Sequence, residues 1–144
     1  MVHRPLLIGT RGSPLALWQA DHVRALLLDV HGLGEDAVAL DPITTSGDRI
    51  RDKPLRDLGG KGLFTKEIDD ALLSGSVDLA VHSMKDLPTG LPPGIVIAAV
   101  LKREDVRDAF ISASGQSLAA LPPGAVVGSS SLRRQAQVKR LRRD

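Results

Sequence analysis

The sequence predicts an α/β fold with a mostly parallel sheet and flanking helices, and three observations carry that prediction. Short apolar runs of strand length alternate with longer stretches in which apolar residues recur every three or four positions. One of the strand-like runs, Ile95 to Leu101, is nearly continuous in Ile, Val, Ala and Leu, as in strands covered on both faces. The 144 residues are 42% hydrophobic and 25% charged, the balance of a chain that buries a core rather than of a disordered one.

Leu6 to Thr10 reads as the first strand. Ser13 then fits a helix N-cap and Pro14 the first helical position, where a missing N–H costs nothing. Ala16, Ala20, Val23, Leu27 and Val30 give the helix that follows one buried face, and Gly32 and Gly34 stop it. Ala37 to Thr45 is a second strand, and Ser46 to Gly62 a polar, glycine-containing loop of a length that is more often functional or mobile than idle. Leu63 to Ser74 is a second helix, with Phe64, Ile68, Ala71 and Leu72 on one face, Lys66, Glu67, Asp69 and Asp70 on the other, and Gly75 as its stop. Val77 to Ser83 and Ile95 to Leu101 are the third and fourth strands.

From Lys102 the composition turns charged, which sets a domain boundary there. Residues 1–101 form a first lobe, and 102–144 a crossing segment with the incomplete start of a second. That second part is expected to hold short strands at Ala109 to Ser112 and Ala125 to Val127, and a helix over Ser131 to Arg143 capped by Ser130 or Ser131.

Composition removes several function classes. With no cysteine, the chain has no disulfide framework, thiolate nucleophile or Cys-based zinc site. His3, His22, His31 and His82 have no metal-ligand spacing. No run approaches the ~20 apolar residues of a membrane span, and Met1 to Pro5 leads into no signal-peptide pattern, so a cytoplasmic location without a membrane partner is expected. The last fourteen positions set Arg133, Arg134, Lys139, Arg140, Arg142 and Arg143 against Asp144 alone. Nucleic-acid binding would want aromatics for stacking, and Trp18, Phe64 and Phe110 are all there are, so a solvated helix face is the expectation and nucleic acid is not.

Ligands of open α/β sheets bind beyond the carboxyl ends of the strands. The loops there carry Thr10, Arg11 and Ser13; Thr44, Thr45, Ser46 and the segment with Lys61; Ser83, Lys85 and Asp86; and, in the second part, Ser129, Ser130, Ser131, Arg133 and Arg134. Hydroxyls beside cations bind carboxylates or phosphates through charge-assisted hydrogen bonds, and several such groups imply a ligand with several anionic groups. Asp86 is the exception. It reads either as an ion-pair partner of Lys85 or a cap, or as a carboxylate that stabilises a developing positive charge or shuttles a proton. His82, ending an apolar strand, reads as a satisfied polar group. Gly59-Gly60-Lys61-Gly62 lacks the spacing of a nucleotide-triphosphate loop.

Four segments decide further: Thr10-Arg11-Gly12-Ser13-Pro14-Leu15-Ala16-Leu17-Trp18-Gln19, Gly59-Gly60-Lys61-Gly62-Leu63-Phe64, Val81-His82-Ser83-Met84-Lys85-Asp86 and Gly128-Ser129-Ser130-Ser131-Leu132-Arg133-Arg134-Gln135 occur in that order. With Arg103 to Phe110 between them, the sequence resembles the hydroxymethylbilane synthase (porphobilinogen deaminase) family over essentially its whole length. The resemblance implies a lobe like a type II periplasmic binding protein, followed by the start of a similar second one. It implies a usually monomeric transferase that joins four molecules of porphobilinogen, which carries acetate and propionate groups, into a linear tetrapyrrole. Ammonia leaves at each step, and the primer is a covalently held dipyrromethane.

Carried over by position, Asp86 is the catalytic aspartate. Ser83, Lys85, Ser131, Arg133 and Arg134 hold the dipyrromethane, and Arg11, Ser13 and Lys61 hold substrate. Before Lys61, where the family often has a further lysine, this chain reads Arg56-Asp57, with Arg56 as the replacement cation. The family's primer hangs from a cysteine of a third domain, and no cysteine is present here, so the 144-residue chain by itself is expected to be inactive. The competing expectation is a carboxylate-binding module of periplasmic-binding-protein type without turnover.

Overall fold

A computed structural model describes residues 4–49 and 62–144, in two compact units, Met1–Ala99 and Val100–Asp144. In the first unit a three-stranded parallel sheet has the order β2-β1-β3, with β1 (Leu6–Arg11) central, β2 (Val38–Ile43) on one side and β3 (Leu79–Ala80) on the other. Leu6 lies opposite Val38 and Arg11 opposite Ile43, while Ile8 lies opposite Leu79. Three parallel strands therefore finish at one edge, and each hands a polar loop to it.

Helix α1 (Pro14–His31) begins as its sequence dictates: Ser13 Oγ accepts the Ala16 N–H at 3.3 Å, and Pro14 occupies the first turn. Gly32 ends it at φ +59°, where the Leu33 N–H reaches back to the Leu28 carbonyl at 2.9 Å. Ala20 is fully buried against Ile8 and Val38, with Val23, Leu27 and Leu28 packed around them. Complete burial of a side chain such as Ile8 contributes roughly 1.5–3 kcal/mol. The inward face differs from the apolar spacing at its end: Val30 in the final turn is exposed, and Leu28 takes part in the packing instead.

The Ser46 to Gly62 segment is not loop throughout. It opens with a one-turn helix, α2 (Ser46–Arg49), and residues 50–61, which include Arg56, Asp57 and Lys61, lie outside the described residues. Helix α3 (Lys66–Leu73) starts later than expected, after a turn over 62–65. Its polar face is not all solvated: Asp69 is buried, and Glu67 reaches across to Ser46, whose N–H it accepts at 2.9 Å.

The third strand is short. Its last ladder bond is Val81 N–H to the Gly9 carbonyl at 3.0 Å, and the chain then leaves the sheet through a 3-10 turn, Met84–Asp86. Ile95 to Leu101 is not a strand: it has no ladder among the described residues, and Val96 and Val100 are 79% and 70% exposed. An apolar run becomes a strand only where another strand supplies its hydrogen bonds, and no described segment does so here.

The second unit holds no strand among its described residues, contrary to the expectation for Ala109 to Ser112 and Ala125 to Val127; Ile111 is 92% and Val126 97% exposed. Its regular elements are a 3-10 turn, Leu118–Ala120, and helix α4 (Leu132–Leu141). Of the two caps proposed, Ser131 is the one used, accepting the Arg134 N–H at 3.4 Å. Helix α4 stops short of Arg143 because Arg142 turns to an extended backbone and donates to the carbonyls of Leu118, Leu121 and Pro122 at 2.8–3.1 Å. That arginine belongs to the packing of this unit and not to a solvated face. No helix of the described residues is long and apolar enough to cross a membrane.

Candidate functional site

At the carboxyl edge of the sheet, Arg11, Ser13, Ala16, Gln19, His82, Ser83, Lys85 and Asp86 line a cleft of about 140 Å³. Each arrives for a local reason. Arg11 is the last residue of β1, Ser13 the cap of α1, Gln19 a residue in the second turn of that helix, and Ser83 to Asp86 the turn that follows β3. Five of the residues singled out by sequence therefore meet here: Arg11, Ser13, Ser83, Lys85 and Asp86. Ser131, Arg133 and Arg134 belong to the second unit, and Lys61 lies outside the described residues.

Asp86 does not pair with its neighbour Lys85. Among the described residues the cation that it meets is Arg11, with Nη1 3.9 Å from Oδ2, too far for a hydrogen bond and close enough for attraction. Ser83 donates its hydroxyl to Gln19 Oε1 at 3.0 Å, so α1 and the turn after β3 are tied across the cleft.

The strongest contact of Arg11 is with Asp48 on α2. Nη2 makes a short ion pair to Oδ1, and Nε lies 3.2 and 3.3 Å from the two carboxylate oxygens. The guanidinium also sits over the Phe64 ring, 4.1 Å from its centroid. Asp48 is held in turn by Thr45, whose hydroxyl and N–H donate to Oδ2 at 2.8 and 3.3 Å. The Arg11 contact, helped by Thr45 and opposed by partial burial, holds the Asp48 carboxyl below its ordinary range. On α3, the Ser46 hydroxyl does the same for Glu67.

His82 departs from expectation. Its Nε2 is buried without a hydrogen-bond partner among the described residues. Burial pushes the imidazole below its usual range, against the charges of Asp69 and Asp86, so the neutral form is favoured.

In the second unit, Arg133 and Arg134 converge on one carboxylate. Arg133 places Nη1 and Nη2 at 2.9 and 3.1 Å from the two oxygens of Asp108, and Arg134 Nε adds a third contact at 2.8 Å. These contacts lower the Asp108 pKa to about 2.

Residues 6–144 match the family model described as "Porphobilinogen deaminase, dipyromethane cofactor binding domain". The chain belongs to the porphobilinogen deaminase family. It is 59% identical over 140 residues to "Porphobilinogen deaminase" of Paracoccus denitrificans (strain Pd 1222), covering 97% of this chain and 45% of the relative. It is 62% identical over 133 residues to "Porphobilinogen deaminase, chloroplastic" of Oryza sativa subsp. japonica, covering 91% and 37%. The chain thus spans less than half the length of these curated relatives. Its parallel sheet with flanking helices is consistent with the type II periplasmic-binding-protein-like fold expected of porphobilinogen deaminases.

Sequence reasoning missed Asp48, Gln19 and Asp108. The pattern Thr45-x-x-Asp48 after a strand is a capping-box signature, and it was there to be read. Nothing local announces that Asp48 takes Arg11, 37 positions away.

Proposed function

We propose that this chain is the ligand-facing portion of a hydroxymethylbilane synthase, which condenses four porphobilinogen molecules stepwise into hydroxymethylbilane with loss of ammonia, in tetrapyrrole biosynthesis. One observation carries the reading: a single carboxylate, Asp86, lines a cleft otherwise furnished with Arg11, Lys85, Ser13 and Ser83. A module that only captured carboxylates would gain nothing from a carboxylate there, since like charges repel. An enzyme whose substrate turns cationic on losing ammonia has a use for it.

The donor set fits a dipyrromethane bearing carboxylates. Lys85 and Ser83 offer an ammonium and a hydroxyl in the cleft. Ser131, Arg133 and Arg134 offer a hydroxyl and two guanidiniums at the cap and first turn of α4, and the contacts to Asp108 show both guanidiniums taking one carboxylate, Arg133 as a fork and Arg134 through Nε. When bound, the dipyrromethane supplies the pyrrole carbon to which the first unit is joined. Arg11, Ser13 and Lys61 orient porphobilinogen through its acetate and propionate. Asp86 stabilises positive charge on the pyrrole as the carbon–nitrogen bond breaks and the carbon–carbon bond forms, and then assists proton removal. Residues 1–101 serve as the first lobe and 102–144 as the crossing and start of a second. The same reading carries a monomeric, cytoplasmic enzyme with no nucleic-acid or membrane partner.

The test is turnover of porphobilinogen by this chain alone and by a chimera in which it replaces the matching residues of the Paracoccus relative. The chimera is expected to make hydroxymethylbilane and the isolated chain is not. Asp86→Asn in the chimera should lower turnover by several orders of magnitude, equivalent to roughly 3–5 kcal/mol of transition-state stabilisation. Near-normal turnover by that variant would remove Asp86 from the mechanism.

A further inference from the structure

Arg11 approaches Asp86 without closing on it, and the geometry around the guanidinium gives the reason. Arginine has two hydrogen-bonding edges and two faces. The Nε/Nη2 edge is taken by Asp48, and one face is covered by Phe64 at 4.1 Å. What remains for the cleft is the Nη1 side, 3.9 Å from Asp86.

Asp48 is itself built in. Thr45, fully buried, donates to it twice, through its N–H as in one half of a capping box and through its hydroxyl, and the Asp48 N–H donates to the Thr45 carbonyl at 3.1 Å. The turn sits tightly on the segment before α3: the Gly47 N–H donates to the Leu63 carbonyl at 2.7 Å, and a Cβ at Gly47 would overlap the Phe64 ring. The carboxylate that fixes Arg11 and the ring that backs it thus belong to one packed unit.

We propose that Asp48 is a positioning residue for the reaction: it holds Arg11 by one edge, keeps the guanidinium from collapsing onto Asp86, and so fixes the offset between a ligand carboxylate bound on Arg11 and the carboxylate of Asp86. This rests on the function proposed above for the same cleft. A negative charge beside a cation that binds an anion weakens that binding, so a group kept for affinity would not be an aspartate. What Asp48 contributes is orientation, and orientation enters turnover more than binding.

Two measurements test this independently. In the 144-residue chain, nitrogen-15 NMR of the arginine side chains should show separate, slowly exchanging Nη signals for Arg11, and Asp48→Asn should merge them. Arg24, which donates to the carbonyls of Val38 and Glu35 at 2.9 Å, is the internal control and should be unchanged. Thr45→Val, which removes one tie and keeps the charge of Asp48, should loosen Arg11 partially and serves if Asp48→Asn does not fold. Arg11 signals in the variants identical to those of the unsubstituted chain overturn the proposal.

In the chimera, Asp48→Asn should lower kcat by about tenfold with KM held or lowered, and Asp48→Glu should recover part of the loss. Unchanged kcat, or a raised KM at unchanged kcat, also overturns it. A chimera that consumes no porphobilinogen even unsubstituted would sink the proposed function instead, while the Arg11 signals still judge the role of Asp48.

Discussion

The two units of this chain use similar sequence material to different ends. Met1–Ala99 ties three strands into a ladder and buries Ile8, Ala20, Val38, Ile68 and Val77. Val100–Asp144 has its own apolar runs, yet none of its residues is buried, and its specific contacts are mostly polar, Arg142 on three carbonyls and Asp108 on two arginines. The difference teaches that hydrophobicity states what a segment wants and not what it obtains. β1 obtains it because strands lie on both sides; the Ala125 to Val127 run has none beside it among the described residues.

The contrast breaks most readily at the core. Ile8→Ala should destabilise the first unit by about 2–4 kcal/mol, because a fully buried branched side chain leaves a cavity, whereas Val126→Ala should change the second by less than about 0.5 kcal/mol. Urea titration followed by amide hydrogen exchange reads both, and equal effects would erase the distinction. Gly47→Ala comes next, at about 1–3 kcal/mol, since the added methyl meets the Phe64 ring and lies 2.9 Å from the Leu63 carbonyl oxygen.

Caps should differ less. Ser13→Ala removes a 3.3 Å bond from a helix packed on the sheet and should cost about 1 kcal/mol. Ser131→Ala removes a 3.4 Å bond from an exposed helix and should cost about half of that in the thermal unfolding of α4.

The smallest effect is one of pH. Asp108 has its pKa lowered from the ordinary 3.8 to about 2 by Arg133 and Arg134. A carboxyl depressed in the folded state contributes its stabilisation above its ordinary pKa and loses it as pH falls through the folded one. Ordering of α4 should therefore hold above about pH 4, decline towards pH 2, and weaken with salt because the pair is exposed. Proton NMR of α4 amides tracks it, and a profile unchanged in Asp108→Asn would assign the transition to another group.

Much of this was legible in the sequence, and what was legible was local. Ser13, Pro14 and Gly32 bound α1 through contacts within a few residues of each other, and Ser131 does the same for α4. The cleft was legible because parallel strands end together, so the loops after β1 and β3 meet whatever their sequences. The fourth strand was not, because a ladder is a property of two segments. Nor was the partner of Asp86, which a neighbour-based reading gives to Lys85 and the fold gives to Arg11. His82 shows the same limit: its place after β3 is local, but a buried Nε2 without a partner among the described residues, and the charges of Asp69 and Asp86 acting on the ring, come from the fold.

The exposed run from Ile95 to Leu101 also governs how the molecule behaves in bulk. It offers Ile-Val-Ile-Ala-Ala-Val-Leu without a charge or a proline, with Val96 and Val100 largely open to solvent. Such a segment is a template for edge-to-edge pairing between copies. Raising salt screens the repulsion between molecules and strengthens apolar association, so light scattering of concentrated solutions should climb with ionic strength, and a lysine at Val96 should suppress it. On this expectation the concentration the chain tolerates should be limited by seven residues that line no part of the cleft.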